Sequence, residues 1–255
     1  MKIIIIILLI LLILVIYFKK PRTNYFGAGK SISSKTLNKA LITDEPDTYR
    51  PNVYYINLIH RKDRKKHIET QLNKINYPKK KIFRIDAIKH KNGLTGCGLS
   101  HIKALKEAKK SNNNYSIILE DDFEWINSNI VNEYLNKINN LKYEWNVILL
   151  SCNGGKILNK IKENNCFNSI NNCLTASGYI IKHSYIDTLL DLWIIDANNR
   201  IKNNINPGHP EHHQTALDVS WKQLQDKSWL ITDPKLGKQI KSYSDIQKKI
   251  VDYKV

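Results

Sequence analysis

Apolar and polar positions follow two different periods within residues 51–255, and each period predicts one kind of element. Short runs rich in β-branched and aromatic residues predict five strands. These are VYYINL (53–58), KIFRIDAI (81–88), YSIILE (115–120), NVILLS (146–151) and LTASGYIIK (174–182). Residues 61–75 place apolar side chains every three or four positions instead, which predicts an amphipathic helix. Residues 93–110 predict a glycine-bearing turn followed by a second helix, in which Leu99, Ile102, Leu105 and Ala108 recur every three residues. Strands that alternate with helices predict an α/β fold with an open, mostly parallel sheet flanked by helices.

Residues 3–18 form an unbroken apolar run between Lys2 and Lys19. A helix of this length covers about 24 Å, slightly less than the hydrocarbon core of a bilayer at about 30 Å. We favour a transmembrane anchor in residues 1–20, because no small-x-small cleavage motif follows the run; a cleaved signal peptide is the alternative. The flank after the run is the more positive one, so a single-pass membrane protein with a cytosolic domain is expected.

Composition changes after the apolar run. Residues 21–50 contain Pro, Gly, Ser and mixed charge without sustained periodicity, which is typical of a stem. Residues 51–255 are long enough for one α/β domain. The cysteines lack zinc-site spacing and are too few for a disulfide scaffold, so four free thiols are predicted. They are Cys97, Cys152, Cys166 and Cys173.

Positive charge dominates the chain, with 40 Lys and Arg against 23 Asp and Glu and a net charge of +17. Such a surplus attracts anionic partners, such as a nucleotide or a lipid surface. The lysines are spread along the whole length and no nucleic-acid-binding motif is present, so nucleic acid is not an expected partner. A general bias towards Lys, Asn and Ile is the alternative source of the charge.

The stretch SIILEDDFEW (116–125) places Glu120, Asp121 and Asp122 directly after a predicted buried strand. Adjacent carboxylates repel one another, and they need positive charge nearby. Ligands of open α/β sheets bind beyond the carboxyl ends of strands, and oxygen ligands suit Mg²⁺ or Mn²⁺. Glu120 and Asp122 are two positions apart and share one face of an extended chain, so they are the candidate metal ligands. A solvated loop or an acidic turn at a helix start is the alternative.

Further polar residues follow the first two predicted strands and open the second helix. Arg61 and Arg64 could pair with a diphosphate through their forked donors, although solvated charges at a helix start are the alternative. The glycine-bearing turn GCGLSH (96–101) begins a helix, and free amides at a helix start attract anions. The candidate cofactor-binding residues are Asn57, Arg61, Arg64, Asp86, Ser100, His101 and Asp121.

Several stretches, taken together and in this order, resemble glycosyltransferase family 25, the lipopolysaccharide and collagen galactosyltransferase-like enzymes. They are YYINLIHRKDRKKHI, GCGLSHIKALKEA, IILEDDFEW, TASGYIIKHSYIDTLL, ALDVSW and a closing Q-x4-S-D-I at Gln239, Ser244, Asp245 and Ile246. The resemblance covers residues 52–247. It implies a GT-A fold and a nucleotide-diphosphate sugar donor, such as a UDP-sugar. It also implies metal-assisted, inverting transfer of a hexose such as galactose or glucose. On this resemblance Glu120 to Asp122 look like the DxD motif, with Asp122 as the direct ligand of Mn²⁺ or Mg²⁺.

An inverting transfer needs a base that takes the proton of the acceptor hydroxyl. Asp218 follows the polar, proline-broken segment 198–214, which is predicted to be a mobile loop, and it is the first choice; Glu211 is the second. A helix cap is the alternative role of Asp218. His212 and His213 could complete the metal shell, or they are a solvated pair.

The acceptor expected from the resemblance is a hydroxyl of a glycan, a lipid-linked glycan or a protein. A cytosolic domain would favour a lipid-linked or nascent surface glycan. Two other functions compete: a catalytically inactive glycosyltransferase-like protein that binds glycans, and a membrane-tethered basic protein that binds anionic surfaces. The inactive protein would be expected to have a degraded donor site, yet the acidic triplet and residues 57–64 are present. The basic anion-binding protein does not explain the order of the motifs.

Overall fold

The computed structural model describes residues 50–162 and 165–252, in which a central sheet carries helices on both faces. The strands are β1 (Asn52–Asn57), β2 (Ile82–Asp86), β3 (Tyr115–Glu120), β4 (Phe123–Trp125), β5 (Val147–Leu149), β6 (Asn153–Lys160), β7 (Phe167–Leu174), β8 (Gly178–Lys182), β9 (Trp229–Thr232), β10 (Gly237–Gln239), β11 (Ser242–Ser244) and β12 (Lys249–Val251). The helices are α1 (Lys62–Lys74), α2 (Gly93–Lys109), α3 (Ser128–Asn139), α4 (Ile186–Lys202) and α5 (Leu217–Ser220). Three-residue and four-residue 3-10 helices lie at Lys79–Lys81, His183–Tyr185 and Trp221–Leu224.

Eight strands form the main sheet in the order β2-β1-β3-β8-β5-β9-β7-β6. Strand β1 pairs in parallel with β2 and β3, and β5 pairs in parallel with β9. Strand β8 runs antiparallel between β3 and β5, and β7 runs antiparallel to both β9 and β6. The α/β class and the helix-flanked sheet are confirmed. The sheet is mixed instead of mostly parallel: three strand pairs are parallel, and the four pairs that β7 and β8 make are antiparallel.

Successive side chains of the central strands enter two separate cores, one on each face of the sheet. The core shared with α1 and α3 contains Val53 and Tyr55 of β1, and the core shared with α2 and α4 contains Tyr54 and Ile56. The predicted apolar face of the first helix is confirmed. Its buried residues are Ile68, Leu72 and Ile75.

Part of the predicted mobile loop 198–214 is helical, because α4 continues to Lys202. The buried side chain of Arg200 ties the rest of the segment to the helix: its guanidinium donates to the carbonyl oxygen of His212 at 2.8 Å and to the hydroxyl of Thr215. The helix is hard to predict from the sequence because this stretch is rich in asparagine, which has a low helix propensity. Trp193, Ala197 and Arg200 nevertheless follow at helical spacing and are all buried.

Cys152 and Cys173 form a disulfide with their Cα atoms 5.6 Å apart, so the prediction of four free thiols is wrong for this pair. The antiparallel hairpin of β6 and β7 brings these two residues together at its open end. A separation of 21 residues does not reveal this contact, because the hairpin register decides it. Cys97 and Cys166 are thiols outside this disulfide.

The predicted anchor in residues 1–20 lies outside the described residues, as does the predicted stem except for Arg50. Within the part of the chain that the structure describes, no helix has the length and apolarity to cross a bilayer. The anchor and the stem therefore stay predictions.

Candidate active site

A cavity of about 570 Å³ lies beyond the carboxyl ends of β1, β2 and β3. Its floor is the predicted acidic triplet: Glu120 ends β3, and Asp121 and Asp122 form the turn into β4. We call these three residues the acidic floor. Helix α2, the loop after β2 and the hairpin of β11 and β12 (residues 242–251, the C-terminal hairpin) form the other walls. This is the position at which open α/β sheets bind ligands.

Arg64 supplies the positive charge that the acidic floor requires. Its Nη1 atom lies 3.1 Å from Oδ1 of Asp121 and 3.0 Å from Oδ2 of Asp122. Arg64 belongs to the first turn of α1, which follows β1 closely enough to aim the guanidinium at the end of neighbouring β3. Asn57 donates to the other oxygen of Asp121 at 2.7 Å. Both oxygens of Asp121 are therefore engaged by protein donors.

One arginine does not balance the charge of three carboxylates, and the pKa values of Asp121 and Asp122 are raised accordingly. Burial, followed by repulsion from Glu120, raises the pKa of Asp122 to about 7. Burial also raises the pKa of Asp121. Burial acts in the same direction on Glu120, but the hydrogen bond and the attraction from His101 outweigh it and lower the pKa of that carboxyl. The acidic floor can therefore accept additional positive charge.

Glu120 faces two different groups through its two oxygens. Its Oε1 lies 3.1 Å from Nε2 of His101 and 3.7 Å from Sγ of Cys97. Its Oε2 accepts a hydrogen bond of 3.2 Å from the amide of Gln239, which also lies 3.4 Å from Oδ1 of Asp122. Cys97, His101 and Glu120 offer ligand atoms that all lie within 4.8 Å of one another, so this trio could hold a metal.

The start of α2 does not offer the free amides that the sequence predicted. Oδ1 of Asn92 accepts hydrogen bonds from the amides of Leu94 at 3.1 Å and Thr95 at 3.3 Å, so the helix is capped. The hydroxyl of Ser100 donates to the carbonyl of Gly96 at 2.6 Å and accepts from the amide of Ile88 at 2.8 Å. Ser100 thus fastens the loop after β2 to α2.

The donors of Arg61 are occupied by protein acceptors, and they are not directed at the cavity. Its guanidinium donates to both carboxylate oxygens of Asp63, at 3.0 and 2.8 Å, and to the carbonyl of Tyr243 at 3.1 Å. It also pairs with Asp245 of the C-terminal hairpin. The predicted interaction of Arg61 with a diphosphate is therefore replaced by a contact that holds the hairpin.

Asn57 and Asp86 support the site from behind. Arg84 links them, because its Nε donates to Oδ1 of Asn57 at 3.0 Å and its Nη1 lies 2.6 Å from Asp86. Of the seven predicted cofactor-binding residues, four line the cavity and three do not. The four are Arg64, Ser100, His101 and Asp121, and the three are Asn57, Arg61 and Asp86.

Asp218 connects to the acidic floor through Thr175 and Gln239. Its Oδ2 accepts a hydrogen bond of 3.1 Å from the amide of Thr175, whose hydroxyl donates to Oε1 of Gln239 at 2.9 Å. Thr175 has a φ of +82°, which is strained for a β-branched residue and requires such support. Burial raises the pKa of Asp218. The first residue before α5 is Ala216, without a side-chain cap, so Asp218 is not a helix cap.

The second-choice base and the two histidines lie in the segment after α4. Glu211 and His213 are exposed, and His212 is buried with its Nδ1 3.4 Å from Nη2 of Arg200. Among the described residues this segment lines the cavity through Pro207 alone. The structure therefore does not bring Glu211, His212 or His213 to the acidic floor.

Four residues of the site were not assigned a role from the sequence: Asn92, Cys97, Thr175 and Gln239. Three of them, Cys97, Thr175 and Gln239, did belong to the stretches that carry the family resemblance, so a signal existed for them. Asn92 also had a signal, because asparagine is a favoured residue at the N-cap of a helix. Nothing in the sequence indicates the positive φ of Thr175.

Residues 91–197 match the model of glycosyltransferase family 25, described as an LPS biosynthesis protein. This match agrees with the family resemblance of the sequence, and it locates the similarity in residues 91–197. The matched region is less than half of the sequence, but it contains α2, β3 and the whole acidic floor. The protein is a glycosyltransferase, as the resemblance implied.

Solved structures of glycosyltransferases are also similar to this chain. One is a glycosyltransferase involved in the glycosylation of the major capsid of PBCV-1, with 10% identity and a TM-score of 0.39 over 72% of this chain and 82% of that chain. Another is a mutant Drosophila β-1,4-galactosyltransferase 7 in a complex with manganese, UDP-Gal and xylobiose, with 8% identity and a TM-score of 0.30 over 55% of this chain and 52% of that chain. Comparison with curated proteins gives no match.

Proposed function

We propose that this glycosyltransferase moves a hexose, galactose or glucose, from a nucleotide-diphosphate donor to a hydroxyl of a glycan, a lipid-linked glycan or a protein. Transfer inverts the anomeric carbon and depends on Mn²⁺ or Mg²⁺. The observation that carries the proposal is the acidic floor, three carboxylates met by a single arginine at the base of a ligand-sized cavity.

The donor set of the floor fits a hard divalent ion. Oε2 of Glu120 and Oδ1 of Asp122 share one long amide contact with Gln239, whereas both oxygens of Asp121 are already engaged. Glu120 and Asp122 are therefore the residues that would hold the ion, and Asp121 positions Arg64. When bound, such an ion supplies Lewis-acid stabilisation of the leaving diphosphate.

The walls of the cavity suit an anionic donor. Lys89, Lys91 and Lys248 line it together with His60 and His90. A diphosphate carries two negative charges near neutral pH, and cations aimed at its oxygens stabilise the charge that develops as it departs. These residues take the place of Arg61, whose donors are occupied.

Asp218 is the proposed general base. The acceptor oxygen attacks the anomeric carbon, its proton passes to the carboxylate of Asp218, and the bond from that carbon to the phosphate oxygen breaks. Burial raises the pKa of this carboxyl, which makes the carboxylate a stronger proton acceptor. The chain of contacts from Asp218 through Thr175 and Gln239 links it to the acidic floor. Glu211 is exposed and has no such link.

The test uses the full chain with a panel of nucleotide sugars and added Mn²⁺ or Mg²⁺. Asp122→Asn should abolish metal-dependent transfer and weaken Mn²⁺ binding in calorimetry, because it removes one of two proposed ligands. Asp191→Asn, on the exposed side of α4, is the matched control and should retain both. Full activity of the unchanged protein in excess chelator would contradict metal dependence. A retained anomeric configuration in the product, measured by NMR, would contradict inversion.

A further inference from the structure

We propose that Cys97, His101 and Glu120 form a second metal site, which takes a borderline-soft divalent ion such as Zn²⁺. This site lies on the other side of Glu120 from the hard-ion site described above. It uses Oε1 of the glutamate, whereas the hard-ion side uses Oε2.

The distances between the ligand atoms fit a tetrahedral ion. Zinc binds sulfur at about 2.3 Å and nitrogen or oxygen at about 2.0 Å, so two of its ligand atoms lie about 3.3–3.5 Å apart. Oε1 of Glu120 lies 3.1 Å from Nε2 of His101 and 3.7 Å from Sγ of Cys97. All three ligand atoms lie within 4.8 Å of one another. Small side-chain rotations therefore suffice to bring them around one ion.

Rigid elements hold the three ligands in place. Cys97 and His101 are four residues apart on α2, so they occupy one face of the helix, and Glu120 is the last residue of β3. The ring of His101 is fully buried, and its Nδ1 lies 3.2 Å from the hydroxyl of Tyr179. Metal-binding histidines usually use their second nitrogen in such a contact, which fixes the ring orientation.

The ligand chemistry separates this site from the hard-ion site. A thiolate and an imidazole select zinc over magnesium or manganese. On binding, Nε2 of His101 gives up its proton, and the neutral ring carries its proton on Nδ1, towards the hydroxyl of Tyr179. The thiol of Cys97 releases its proton to solvent, and no redox change occurs. All three ligands line the cavity, so the fourth position of the ion is open to water or to a substrate atom.

Occupation of this site has a consequence for transfer, and that consequence rests on the proposed function. Glu120 belongs to both sites, so Zn²⁺ bound by Cys97 and His101 draws the carboxylate away from Asp122. Zinc should therefore inhibit transfer that Mn²⁺ supports.

The test uses Co²⁺ as a spectroscopic substitute for Zn²⁺ in the full chain. The unchanged protein should show a near-ultraviolet charge-transfer band from thiolate to cobalt, and an equivalent of Zn²⁺ should remove it. Cys97→Ser should lose the band. Cys166→Ser is the matched control and should keep it, and the Cys152–Cys173 disulfide offers no thiolate. Absence of the band in the unchanged protein, or its survival in Cys97→Ser, would overturn the proposal.

A second measurement needs no variant and covers the case in which Cys97→Ser does not fold. Zn²⁺ should slow the alkylation of Cys97 in the unchanged protein, as followed by peptide mass spectrometry, and equal rates with and without Zn²⁺ would also overturn the site. The Asp122→Asn protein distinguishes the two proposals. This variant should keep the cobalt band and lose metal-dependent transfer, and that result would support both proposals. If the unchanged protein shows the band but no metal-dependent transfer, only the proposed function is contradicted.

Discussion

Phe123 directly follows the acidic floor and packs between two glycines. A Cβ atom on Gly178 of β8 or on Gly237 of β10 would overlap the ring of Phe123. Trp125 meets the same ring edge-on, with the centroids 4.7 Å apart. The ring therefore fixes the turn that presents Asp122 to the cavity.

Gly237→Ala should lower the free energy of unfolding by about 1–3 kcal/mol, because overpacking a filled core forces a shift of the ring or of the backbone. Gly98→Ala is the matched control: a Cβ there meets nothing within 4 Å, and the residue lies inside α2. That change should be neutral or stabilise by up to about 1 kcal/mol. Urea denaturation measures both, and equal effects of the two substitutions would count against the packing argument.

Asp218→Asn should lower the rate of transfer by about 10²–10⁴-fold, the usual contribution of a general base. The amide oxygen of asparagine can still accept the hydrogen bond from Thr175, so stability and donor binding should change little. Steady-state kinetics with donor and acceptor measure the loss. Glu211→Gln is the control and should transfer at the normal rate, because Glu211 is exposed. A normal rate in Asp218→Asn would exclude the base.

At the residue scale, the sequence predicts charged groups better than it predicts their partners. The acidic triplet and Arg64 stand out in the sequence, and both line the cavity. The engagement of Arg61 by Asp63 and Asp245 is not visible there, because Asp245 is 184 residues away along the chain. Only the folded chain decides which acceptor a guanidinium meets.

The C-terminal hairpin is held over the cavity by two arginines of the first helical region. Arg64 donates to the hydroxyl of Ser242 at 2.6 Å and to the carbonyl of Tyr243 at 2.9 Å, and Arg61 pairs with Asp245. Few apolar contacts assist, since Tyr243 is 48% exposed and Ile250 is 68% exposed. Polar contacts to the body of the protein therefore carry much of the attachment.

Asp245 should stabilise the protein only above acidic pH. Burial would raise its pKa, but the hydrogen bond and charge of Arg61 outweigh burial and lower the pKa below the ordinary value of 3.8. A carboxyl with a lowered native pKa stabilises the fold above its unfolded pKa and loses that effect as the pH falls through the native pKa. We expect Asp245→Asn to reduce the free energy of unfolding by less than about 1 kcal/mol near neutral pH, because the pair is partly exposed.

The measurement compares urea denaturation of Asp245→Asn and the unchanged protein between pH 6 and pH 3. The difference should be constant above about pH 5 and should shrink below 3.8. Added salt should reduce it at neutral pH. A difference that grows as the pH falls would have the wrong sign for this ion pair.

At the scale of the whole molecule, positive and negative charges are unevenly distributed. The net charge is +17, yet the floor of the cavity is acidic, and cations line its walls. The general field should therefore draw the proposed anionic donor towards the site, where the acidic floor would hold the proposed metal ion.

Residues 3–18 should anchor the full chain in a membrane, because a run of this apolarity has no place on a solvated surface. Removing residues 1–20 should move the protein from the carbonate-resistant membrane fraction to the soluble fraction. Removing residues 21–40 of the predicted stem is the control and should leave it in the membrane fraction. A soluble full chain after carbonate extraction would exclude the anchor.

The sequence predicts the local elements of this fold more completely than their arrangement. Residues 115–120 form β3 as predicted, whereas α2 begins at Gly93 and includes Gly96 and Gly98, which the sequence analysis placed in a turn at the start of the helix. Antiparallel insertion of β8 between β3 and β5 is not encoded in any local period, because strand direction depends on which strands become neighbours. The short strands β10, β11 and β12 have too few apolar residues to be recognised in the sequence, although β10 and β11 line the cavity.

Arg64 contacts the acidic floor with one nitrogen and the C-terminal hairpin with another. A homologous enzyme that exchanged this arginine would leave two buried carboxylates without a partner and a hairpin without its fastening. The exchange is tolerable only together with changes at Asp121 or Asp122 and at Ser242. In an evolving family these four positions should therefore vary together, and natural variation in the sugar or the acceptor should accumulate elsewhere on the cavity wall.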